Sequence, residues 1–557
     1  MKSFLFSLAL LLSSSVACFA QSTNWQWAKC DSASGNFGNE GYSIATDTSG
    51  NVFITGWFQS PAITFGSFTL TNNGSANIFL VKYDPNGNVL WARSAGGTTN
   101  DRGYSVTTDE SGNAYVTGNF YSPSIIFGAD TLLNTSNNSD IFLAKYDANG
   151  NVLWGRSPAG SGSDVGNCVI TDNAGNVIIA GDYGSPTLAF GSTTLTNNGL
   201  LDIFIAEYDT NGNPLWAKTF GDAGSDMAYG ITKHAANLFF TGRFSSATIA
   251  FGSTVLTNTG GSDLFLAACD NAGNITWATK AGGTDVEGGN GVAADANGNL
   301  YVTGYFYSAT VSFNSSLLTN ADASGLTSDI CFFKFDANGN PVWARSAGGS
   351  ASFSEMGYSA LVDQNGKIYF SGKLVNFPVS FGSIVLTAPA NPADPVFIVS
   401  YDSNGTALCA EALASGGDDN NALALFPSGD LAIGGDFISN PFVLGSDTLV
   451  STSGEDVFLA KFHFTCGIGD GISGIQHEKK EIIFFPDPGA GIFSLSNNLN
   501  TAFTILVYNS TGQEIYREEN AGENNYQLNL SDQPDGIYFV RILTADENYT
   551  GKIILQH

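Results

Sequence analysis

The sequence has few basic residues, few histidines and little charge overall. Lys and Arg number 21 against 50 Asp and Glu, so the formal net charge is −29, and only 13% of residues are charged. Binding to nucleic acid or to anionic lipid needs a basic surface, so this composition argues against both partners. The four histidines are not accompanied by a His-Glu-x-x-His, Cys-x-x-Cys or Gly-x-Ser-x-Gly motif, so zinc and serine-hydrolase chemistry have no basis in the sequence.

Long hydrophobic runs are missing beyond the first twenty residues. No later run approaches the ~20 apolar residues that a membrane span needs. Residues 1–20 carry one charge, then an apolar run, then small residues ending at Ala20, which is the layout of a secretory signal peptide. A lipoprotein signal would anchor Cys18 and usually has Leu three positions earlier, where this chain has Ser15. We therefore expect cleavage after Ala20, a secreted mature chain and no transmembrane segment.

Glycine and aromatic residues are abundant. Glycine accounts for 66 of 557 residues, aromatics for 12% and hydrophobic residues for 43%. So many apolar side chains exclude a disordered chain, and frequent glycine favours short strands joined by tight turns. The composition predicts an all-β protein.

A repeat of about 62 residues dominates the sequence. A strand-like Thr-Gly or a variant of it recurs seven times, at Gly56, Gly118, Gly181, Gly242, Gly304, Gly372 and Gly434. A tryptophan marks another strand six times, at Trp27, Trp91, Trp154, Trp216, Trp277 and Trp343, and Cys409 takes the seventh place. A fixed period of this length indicates repeated supersecondary units.

Residues 103–154 show what one unit contains. Asn-Gly turns separate short runs rich in β-branched and aromatic residues, which predicts four main strands with a small extra hairpin between the second and the third. Ile141 and Leu143 point to one side of their strand, and Phe142 and Ala144 to the other. Both sides of each sheet must therefore be covered, as they are when sheets stack radially in a propeller.

The shared Asp-x-x-Gly-Asn and Val-Thr-Gly pattern resembles the bacterial β-propeller repeat family called SBBP. We expect residues 21–466 to form a seven-bladed β-propeller. The last copy lacks its Trp strand and the N-terminal Trp25 to Lys29 strand lacks a partner, so pairing the two would complete the seventh blade and close the ring. An open solenoid, the alternative, would leave both ends unpaired.

Residues 482–557 no longer follow the repeat pattern. They predict a small β-sandwich after a linker at 467–481. Alternating runs such as 505–508 and 537–542 are separated by glycine-containing turns. Their order resembles the C-terminal sorting domain of the type IX secretion system of the Bacteroidota, except that Asp487 stands where that family usually has Asn. The residues that carry the resemblance are Pro486, Pro488, Gly491, Gly512, Gly536, Tyr538 and Lys552.

The resemblance of this tail implies a route of export. It implies contact with the type IX machinery, transit through the periplasm, removal of the tail, and release or attachment at the outer cell surface. An ordinary accessory sandwich is the alternative.

Six cysteines remain after signal cleavage, at residues 30, 168, 269, 331, 409 and 466. They fall on different strands of different units, as small core residues would, so we expect free buried thiols. A bridge between Cys30 and Cys466, both in the closing unit, is the alternative.

An acidic residue precedes the first strand of every unit: Glu40, Asp101, Asp164, Asp226, Asp285, Glu355 and Asp418. If the first strands are innermost, these acids would ring one mouth of a channel and attract a cation or a basic ligand. The alternative is that each acid caps its own loop. No cofactor is predicted, although calcium would suit this row of acids. The Asp-x-Asn-Gly-Asn turns, as at Asp147, offer one carboxylate each and are interpreted as hairpin turns.

The variable segments after the second strands share a face with the Ala-Gly-Gly loops, and a ligand is most plausible there. The candidate binding residues on this face are Phe58, Phe120, Tyr121, Tyr183, Phe244 and Tyr307. The sequence thus favours a non-enzymatic secreted or cell-surface protein that recognises a glycan or a protein. A structural coat or matrix protein is the first alternative. A polysaccharide-active enzyme is the second, and it would need an acid pair that no motif singles out.

Overall fold

The computed structural model describes an all-β chain. The described residues are 22–33, 35, 37–172, 174–313, 316–322, 324–349, 353–388, 395–413, 421–438, 440–452, 454–465, 484–485, 490–495, 503–509, 513–521, 526–543 and 548–556. Their regular structure consists of strands, and among them no helix is long and apolar enough to cross a membrane. The chain divides into two compact units, residues 1–469 and 470–557.

The first unit begins with two strands and then repeats a pattern of six strands. The first strands are β1 (Ser22–Cys30), β2 (Ser32–Ala33), β3 (Asn39–Thr46), β4 (Val52–Phe58), β5 (Ala62–Phe65), β6 (Phe68–Thr71), β7 (Asn77–Tyr83) and β8 (Val89–Ala95). The next repeat holds β9 (Asp101–Thr108), β10 (Ala114–Phe120), β11 (Ser124–Phe127), β12 (Asp130–Leu133), β13 (Asp140–Tyr146) and β14 (Val152–Arg156). The third holds β15 (Asp164–Thr171), β16 (Val177–Tyr183), β17 (Thr187–Phe190), β18 (Thr193–Thr196), β19 (Asp202–Tyr208) and β20 (Pro214–Phe220).

Four more repeats complete this unit. The fourth holds β21 (Asp226–His234), β22 (Asn237–Phe244), β23 (Thr248–Phe251), β24 (Thr254–Thr257), β25 (Asp263–Asp270) and β26 (Ile275–Ala281). The fifth holds β27 (Glu287–Ala294), β28 (Leu300–Phe306), β29 (Thr310–Phe313), β30 (Ser316–Thr319), β31 (Asp329–Phe335) and β32 (Pro341–Ala347). The sixth holds β33 (Met356–Val362), β34 (Ile368–Lys373), β35 (Val379–Phe381), β36 (Ile384–Leu386), β37 (Val396–Tyr401) and β38 (Ala407–Leu413). The last holds β39 (Ala422–Leu425), β40 (Leu431–Phe437), β41 (Phe442–Leu444), β42 (Asp447–Leu449) and β43 (Asp456–Thr465).

Each repeat forms one antiparallel four-stranded sheet, and we number the sheets one to seven in chain order. Sheet 1 has the order β3-β4-β7-β8, and sheets 2 to 6 follow the same order. The remaining short strands form small hairpins, except that β2 adds a third strand to the hairpin of β5 and β6. In sheet 7, β39, β40 and β43 are completed by β1 from the start of the chain, with Ser22 opposite Thr465 and Cys30 opposite Phe458. This is the pairing that the two incomplete ends of the sequence predicted.

Hydrophobic packing lies between neighbouring sheets. The middle strands β4, β7, β10 and β13 are buried along their whole length. One hydrophobic cluster joins Phe53 and Trp91 of sheet 1 to Val116 and Phe142 of sheet 2. The first strand of each sheet contacts the first strand of the next, from β3 through β39, and β39 contacts β3 again. In sheet 7 the glycine that pairs like Gly118 is Gly435 and not Gly434, because it lies opposite Phe458 as Gly118 lies opposite Phe142.

The cysteines differ in part from the expectation. Cys168, Cys269 and Cys331 are buried free thiols, as predicted, and Cys30 is also free, which rules out the alternative bridge from Cys30. Cys409 is disulfide-bonded, so the prediction of a free thiol is wrong for this residue. A core position in a regular repeat does not require a disulfide bond, so the repeat pattern gave no reason to expect one at Cys409.

The described residues of the second unit form seven strands in two sheets around a common core. They are β44 (Phe484–Phe485), β45 (Ile492–Leu495), β46 (Phe503–Tyr508), β47 (Glu514–Ala521), β48 (Gln527–Asn529), β49 (Gly536–Leu543) and β50 (Asn548–Leu555). The sheet orders are β44-β45-β48 and β47-β46-β49-β50. Phe493 and Leu528 of the first sheet pack with Ile505 and Val540 of the second.

The residues predicted to mark the sorting tail have clear local roles where they are described. Gly491 has φ of 109°, and a Cβ there would lie 2.5 Å from Ser531 Oγ, so only glycine fits. The Tyr538 hydroxyl donates a hydrogen bond to the Pro534 carbonyl at 2.6 Å. Gly536 begins β49, and Lys552 is exposed on β50. Pro486, Pro488 and Gly512 lie outside the described residues, as do the predicted signal peptide and linker.

Candidate ligand-binding site

One end of every sheet carries the longer connections, and we call this end the loop face. In sheet 2, Asp101 at the start of the first strand lies opposite Phe120 at the end of the second. Phe120 in turn lies opposite Asp140 at the start of the third strand. The small hairpins and the loops to the next sheet leave from this same end. The predicted binding residues and the predicted acid row therefore belong to one face.

Four of the six predicted binding aromatics are buried. Phe58, Phe120, Tyr183 and Phe244 end the second strands, and their side chains are fully buried between neighbouring sheets. A strand covered on both sides leaves no surface for a ligand, so these four are packing residues. Tyr121 is 40% exposed and Tyr307 is half-buried, so these two remain available on the loop face.

The acid row is shifted at two positions from the predicted one. Asp101, Asp164, Asp226 and Glu355 are fully buried at the starts of their first strands. In sheet 5 the buried acid that pairs in this register is Glu287, whereas Asp285 is exposed. In sheet 1 the position belongs to Asn39, and Glu40 is the residue after it. Asp418 lies outside the described residues. The repeat period alone could not fix the register to one residue.

These carboxylates hold the loops of their own sheets. Asp101 Oδ1 accepts hydrogen bonds from the backbone N–H groups of Tyr121 and Ser122 at 3.1 Å. Its Oδ2 accepts from Ser122 Oγ and from the Gly97 N–H, both at 2.7 Å. Asp164 and Asp226 accept from the corresponding serine hydroxyls. Among the described residues no three acidic, histidine or cysteine side chains lie close enough together to hold a metal. Asp101, Asp164 and Asp226 therefore cap loops, as the alternative interpretation expected.

The Ala-Gly-Gly loops complete this arrangement. A Cβ on Gly221 or Gly348 would lie 2.0–2.2 Å from Oδ1 of Asp202 or Asp329 on a third strand. A Cβ on Gly97 would lie 2.6 Å from the Ser122 side chain. The glycines are required because polar side chains pack directly on them. Packing against these polar side chains explains why glycine recurs in the loops.

The opposite ends of the sheets carry the Asp-x-Asn-Gly-Asn turns. Asp209 Oδ1 accepts from the Asn211 and Asn213 N–H groups at 2.9 and 2.8 Å, and Oδ2 accepts from Asn213 Nδ2. The hydrogen bond from the Asn213 side chain is the main cause that lowers the pKa of Asp209. The carboxylate is occupied by its own turn, as a hairpin interpretation requires.

Sequence reasoning missed a β-bulge that recurs in the first strand of six sheets. At each bulge one residue has no partner on the second strand, and that residue is always tyrosine or asparagine: Tyr42, Tyr104, Asn167, Tyr229, Asn290 and Tyr358. Asn421, directly before β39, holds the corresponding place in sheet 7. We call these seven residues the bulge ring. A bulge re-aims a side chain and is common beside functional sites. A tyrosine or asparagine between two small residues, repeated in each of the six units, was the signal that could have identified it.

Members of the bulge ring contact one another or the next sheet. The rings of Tyr42 and Tyr104 meet edge to face with centroids 5.1 Å apart. Asn167 Nδ2 donates to the Ala228 carbonyl at 2.9 Å, and Asn290 Nδ2 donates to the Gly357 carbonyl at 2.9 Å. Since neighbouring first strands are in contact, these side chains lie at equivalent places on adjacent strands.

Two arginines border the bulge ring without a carboxylate partner within ion-pair distance among the described residues. The Arg102 guanidinium lies 4.6 Å from the centre of the Trp57 ring. Arg243 Nη1 donates to the Tyr305 hydroxyl at 3.3 Å. Lys82, Lys145 and Lys461, in contrast, pair with aspartates. Cations held against aromatic rings remain available for hydrogen bonds to a ligand.

The tyrosines of the ring stay neutral. Burial raises the pKa of Tyr229 to about 12, and burial also raises the pKa of Tyr42 and Tyr104. Burial raises the pKa of Asp182, beside Asn167, to about 7. The bulge ring therefore presents phenol and amide groups, which both donate and accept hydrogen bonds.

The two available aromatics of the loop face, Tyr121 and Tyr307, lie near residues of the first two strands. The Tyr305 and Tyr307 rings lie 6.0 Å apart, edge to face. Tyr121 is near enough to Tyr104 to contribute to the raised pKa of its hydroxyl. Several buried polar atoms here lack a hydrogen-bond partner, namely Trp57 Nε1, Arg102 Nε, Asn119 Oδ1 and Asn421 Oδ1. Aromatic and hydrogen-bonding groups of the loop face thus lie near the first two strands of sheets 2 and 5.

Comparison with known proteins identifies the tail and the repeat. Residues 483–556 match the family model of the secretion system C-terminal sorting domain, and residues 90–119 match that of a β-propeller repeat, SBBP. The chain therefore carries a type IX sorting domain behind a propeller repeat, and it is exported to the cell surface or the extracellular space. These families are scaffold types and not catalytic ones.

Curated relatives match only part of their own length. An uncharacterized WD repeat-containing protein of Acanthamoeba polyphaga mimivirus is 25% identical over 520 residues, covering 76% of this chain and 37% of that protein. The regulatory protein FlaEY of Caulobacter vibrioides is 26% identical over 171 residues, covering 30% of this chain and 18% of that protein. The chain thus spans less than two fifths of either relative.

The solved structures that match have low TM-scores and low sequence identity. A europium-containing methanol dehydrogenase has a TM-score of 0.34 at 12% identity, with 79% of this chain and 93% of that chain covered. An ACO/RPE65 chimera also has a TM-score of 0.34, at 10% identity, with 81% and 95% covered.

Proposed function

We propose that this protein is a secreted seven-bladed β-propeller that binds a glycan or a protein ligand through the bulge ring and the adjoining loop face. The observation that carries the proposal is the recurrent bulge. Six sheets each carry an extra residue at the same point of the first strand, and that residue is always tyrosine or asparagine. If the bulges served only to bend the strands, there would be no need for tyrosine or asparagine at every bulge.

The sheet contacts support a closed ring of seven blades. The first strands contact one another in chain order, β39 contacts β3, and β1 from the chain start completes the sheet of β43. Closure of this kind removes exposed sheet edges. The two sheets and common core of the second unit support a β-sandwich for the sorting domain.

The chemistry of the surface favours a neutral, hydroxyl-rich ligand. Sugar rings combine an apolar face, which packs on tyrosine, with hydroxyl groups that phenol, amide and guanidinium groups can bind. A net charge of −29 repels polyanions at long range. Tyrosine, tryptophan and arginine are also the residues that dominate protein interfaces, so a protein ligand fits the same surface.

Binding and not turnover is the activity that this surface supports. Among the described residues no histidine or cysteine belongs to the bulge ring, and its tyrosines are held neutral by burial. Nucleophilic catalysis would need a side chain activated by an adjacent base.

The test is an array of bacterial, algal and host polysaccharides probed with the mature full-length protein. We expect selective binding that weakens at least tenfold when Tyr104, Tyr229, Tyr121 or Tyr307 becomes Ala. Leu153→Ala is the control, since Leu153 is 52% exposed on the outer strand β14. Equal binding by the ring variants and the wild type would place the ligand elsewhere. No binding together with ordered self-assembly would favour a structural coat instead.

A further inference from the structure

The junction between sheets 6 and 7 lacks an indole that the other junctions between neighbouring sheets have. At each of the other six, a tryptophan of an outer strand packs on a glycine of the next sheet, and a Cβ on that glycine would lie 2.6–2.9 Å from the ring. In sheet 6 the position belongs to Cys409, which lies opposite Ser400 as Trp343 lies opposite Lys334 in sheet 5. A much smaller side chain thus replaces the indole at this junction.

The junction between sheets 5 and 6 shows what surrounds the indole. The Ser403 carbonyl accepts hydrogen bonds from Lys334 Nζ at 2.8 Å and from Trp343 Nε1 at 3.2 Å. Lys334 Nζ also lies 5.3 Å from the centre of the Tyr301 ring. A lysine, a tyrosine and one shared carbonyl therefore accompany the tryptophan.

The junction between sheets 6 and 7 keeps these companions of the indole. Phe464 holds on β43 the register of Ser403 in sheet 6. The Phe464 carbonyl accepts from Lys367 Nζ at 3.1 Å, and Lys367 Nζ lies 5.0 Å from the centre of the Tyr369 ring. A carbonyl oxygen can accept two hydrogen bonds, as that of Ser403 does. The lysine, the tyrosine and the carbonyl are therefore present, and the chain provides no indole to join them.

A cavity of about 540 Å³ lies at this junction, at the end of the sheets opposite the loop face. Small-molecule sites usually measure about 300–1,000 Å³. The cavity is reachable from solvent, because Leu408, which lines it next to Cys409, is 42% exposed. Its other aromatic and apolar lining residues are Tyr369, Leu425, Phe426, Pro427 and Phe464.

The charged side chains around the cavity are already engaged. Asp363 accepts hydrogen bonds from two backbone N–H groups of its own turn and from the Tyr369 hydroxyl. His463 Nδ1 lies 3.0 Å from Asp430 Oδ1. Lys367 is held by the Phe464 carbonyl and by the neighbouring rings. The lining therefore suits a neutral ligand better than an ion.

We propose that this cavity binds a neutral planar aromatic group of the size of indole, with its N–H directed to the Phe464 carbonyl. An apolar cavity left by a missing side chain can bind a small aromatic molecule. The rings of Tyr369 and Phe464 offer aromatic packing, and Lys367 places a cation beside the bound ring. The site is separate from the bulge ring, so it does not depend on the ligand proposed there.

The experiment titrates the mature full-length protein with 5-fluoroindole and follows the ligand by fluorine NMR. We expect one site that unlabelled indole competes for, with a dissociation constant of about 0.1–1 mM, as befits a ligand of so few atoms. 1-Methylindole cannot donate a hydrogen bond and should compete at least about threefold more weakly. N-Acetyltryptophanamide distinguishes the source of the group. Competition as strong as that of indole would indicate a tryptophan of another protein, and tenfold weaker competition would indicate a free aromatic compound.

Variants at Leu408 locate the site. Leu408→Trp places a ring of the chain's own at the cavity and should weaken binding at least tenfold. Leu408→Ala removes part of the apolar wall and should weaken binding about threefold, and it keeps the test decisive if the larger side chain disturbs folding. Val342→Trp is the matched control, because Val342 precedes Trp343 as Leu408 precedes Cys409, is 53% exposed and lies beside a junction that already holds its indole. This control should bind like the wild type.

Three results would overturn the proposal. The first is no binding of 5-fluoroindole at 5 mM. The second is binding by Leu408→Trp and Leu408→Ala as tight as that of the wild type, which would place the ligand elsewhere. The third is equal competition by indole and 1-methylindole, which would refute the hydrogen bond to the Phe464 carbonyl.

Discussion

The Trp91 indole Nε1 donates a hydrogen bond to the carbonyl of Ala148 at 3.1 Å. Trp91 lies on the outer strand of sheet 1, and Ala148 lies in a turn of sheet 2, so this bond joins neighbouring sheets. A Cβ on Gly150 in the same turn would lie 2.7 Å from the Trp91 ring, so the indole packs directly on the glycine. The arrangement recurs at Trp27, Trp154, Trp216 and Trp343, each of which donates to a turn carbonyl of the next sheet.

Replacing Trp91 by Ala should destabilise the first unit strongly. The side chain is 5% exposed, and removing a buried tryptophan costs about 3–5 kcal/mol. Gly150→Ala should also destabilise, because its φ is 78° and the new methyl group would clash with the indole. Thermal unfolding measures both effects. Leu153→Ala, on the exposed side of the neighbouring outer strand, should change stability by about 0.5 kcal/mol or less. Melting of Trp91→Ala at the wild-type temperature would refute a role of the indole in joining the sheets.

Cys409 stands where this tryptophan would be in sheet 6, and it is disulfide-bonded. In the sheet that follows, no turn among the described residues joins the third strand to the outer strand, because the outer strand is β1 from the start of the chain and β43 runs to Thr465. A covalent bond therefore holds a position where the indole would have no turn to bind. We predict that Cys409→Ser lowers stability by about 2–5 kcal/mol.

Peptide mapping without reduction checks the pairing of Cys409. The structure describes the cysteines at 30, 168, 269 and 331 as free, and Cys18 belongs to the predicted signal peptide, so the sequence leaves Cys466 as the expected partner. Burial raises the pKa of the Cys30 thiol to about 11 and that of Cys168 to about 12, so alkylation of the free thiols should be slow until the protein unfolds. Complete alkylation of Cys409 in the native, non-reduced protein would contradict the prediction.

The periodicity of the sequence predicted the sheets, because a strand that is buried on both sides can be packed in few ways. The alternation around Ile141 and Phe142, the Asn-Gly turns and the unpaired Trp25 strand were enough for strand order and for the pairing of β1 with β43. Those features act locally or through the need to cover an apolar side, and both can be read from the order of residues.

The candidate site was harder to predict because it depends on single-residue register. A repeat period does not distinguish Asp285 from Glu287, although only Glu287 is buried against the loop. The bulge leaves Tyr104 without a partner on the second strand, and it can be located only when the pairing of the two strands is known. Burial of Phe120 could not be separated from exposure of Tyr121 without knowing where the second strand ends.

The stability of the first unit should fall as pH rises from about 5 to 8. Burial raises the folded-state pKa of Asp140 to about 7 and that of Asp202 to about 6, above the values near 4 of an unfolded chain. The folded state then binds more protons than the unfolded state across this window. The stabilisation is complete below the unfolded pKa and is lost as pH passes the folded pKa. Melting temperatures measured in chelator should decrease from pH 5 to pH 8.

Variants at two aspartates separate this effect from general charge repulsion. Asp202→Asn should make the decrease between pH 5 and 8 shallower, because one raised carboxyl is gone. Asp209→Asn, in an exposed turn where hydrogen bonds lower the pKa, should leave the slope in this window unchanged. A steeper loss in Asp202→Asn, or equal slopes in all three proteins, would show that the buried acids do not set the pH dependence.

Removing residues 482–557 should stop export without unfolding the first unit. The hydrophobic clusters of the first unit that the structure describes contain no residue beyond Phe464, and the cluster of the second unit contains only residues from Phe493 onwards. The truncated chain should therefore melt within about 2 °C of the first unit in the full-length protein and accumulate in the periplasm. Fractionation of producing cells and thermal unfolding of the recovered chain measure the two parts separately. Tyr538→Ala tests the sorting domain alone, because it removes a buried side chain and its bond to the Pro534 carbonyl while every residue of the first unit is kept. Because export requires the folded sorting domain, this variant should also accumulate in the periplasm, and delivery of the truncated chain to the surface would show that the tail is not what directs secretion.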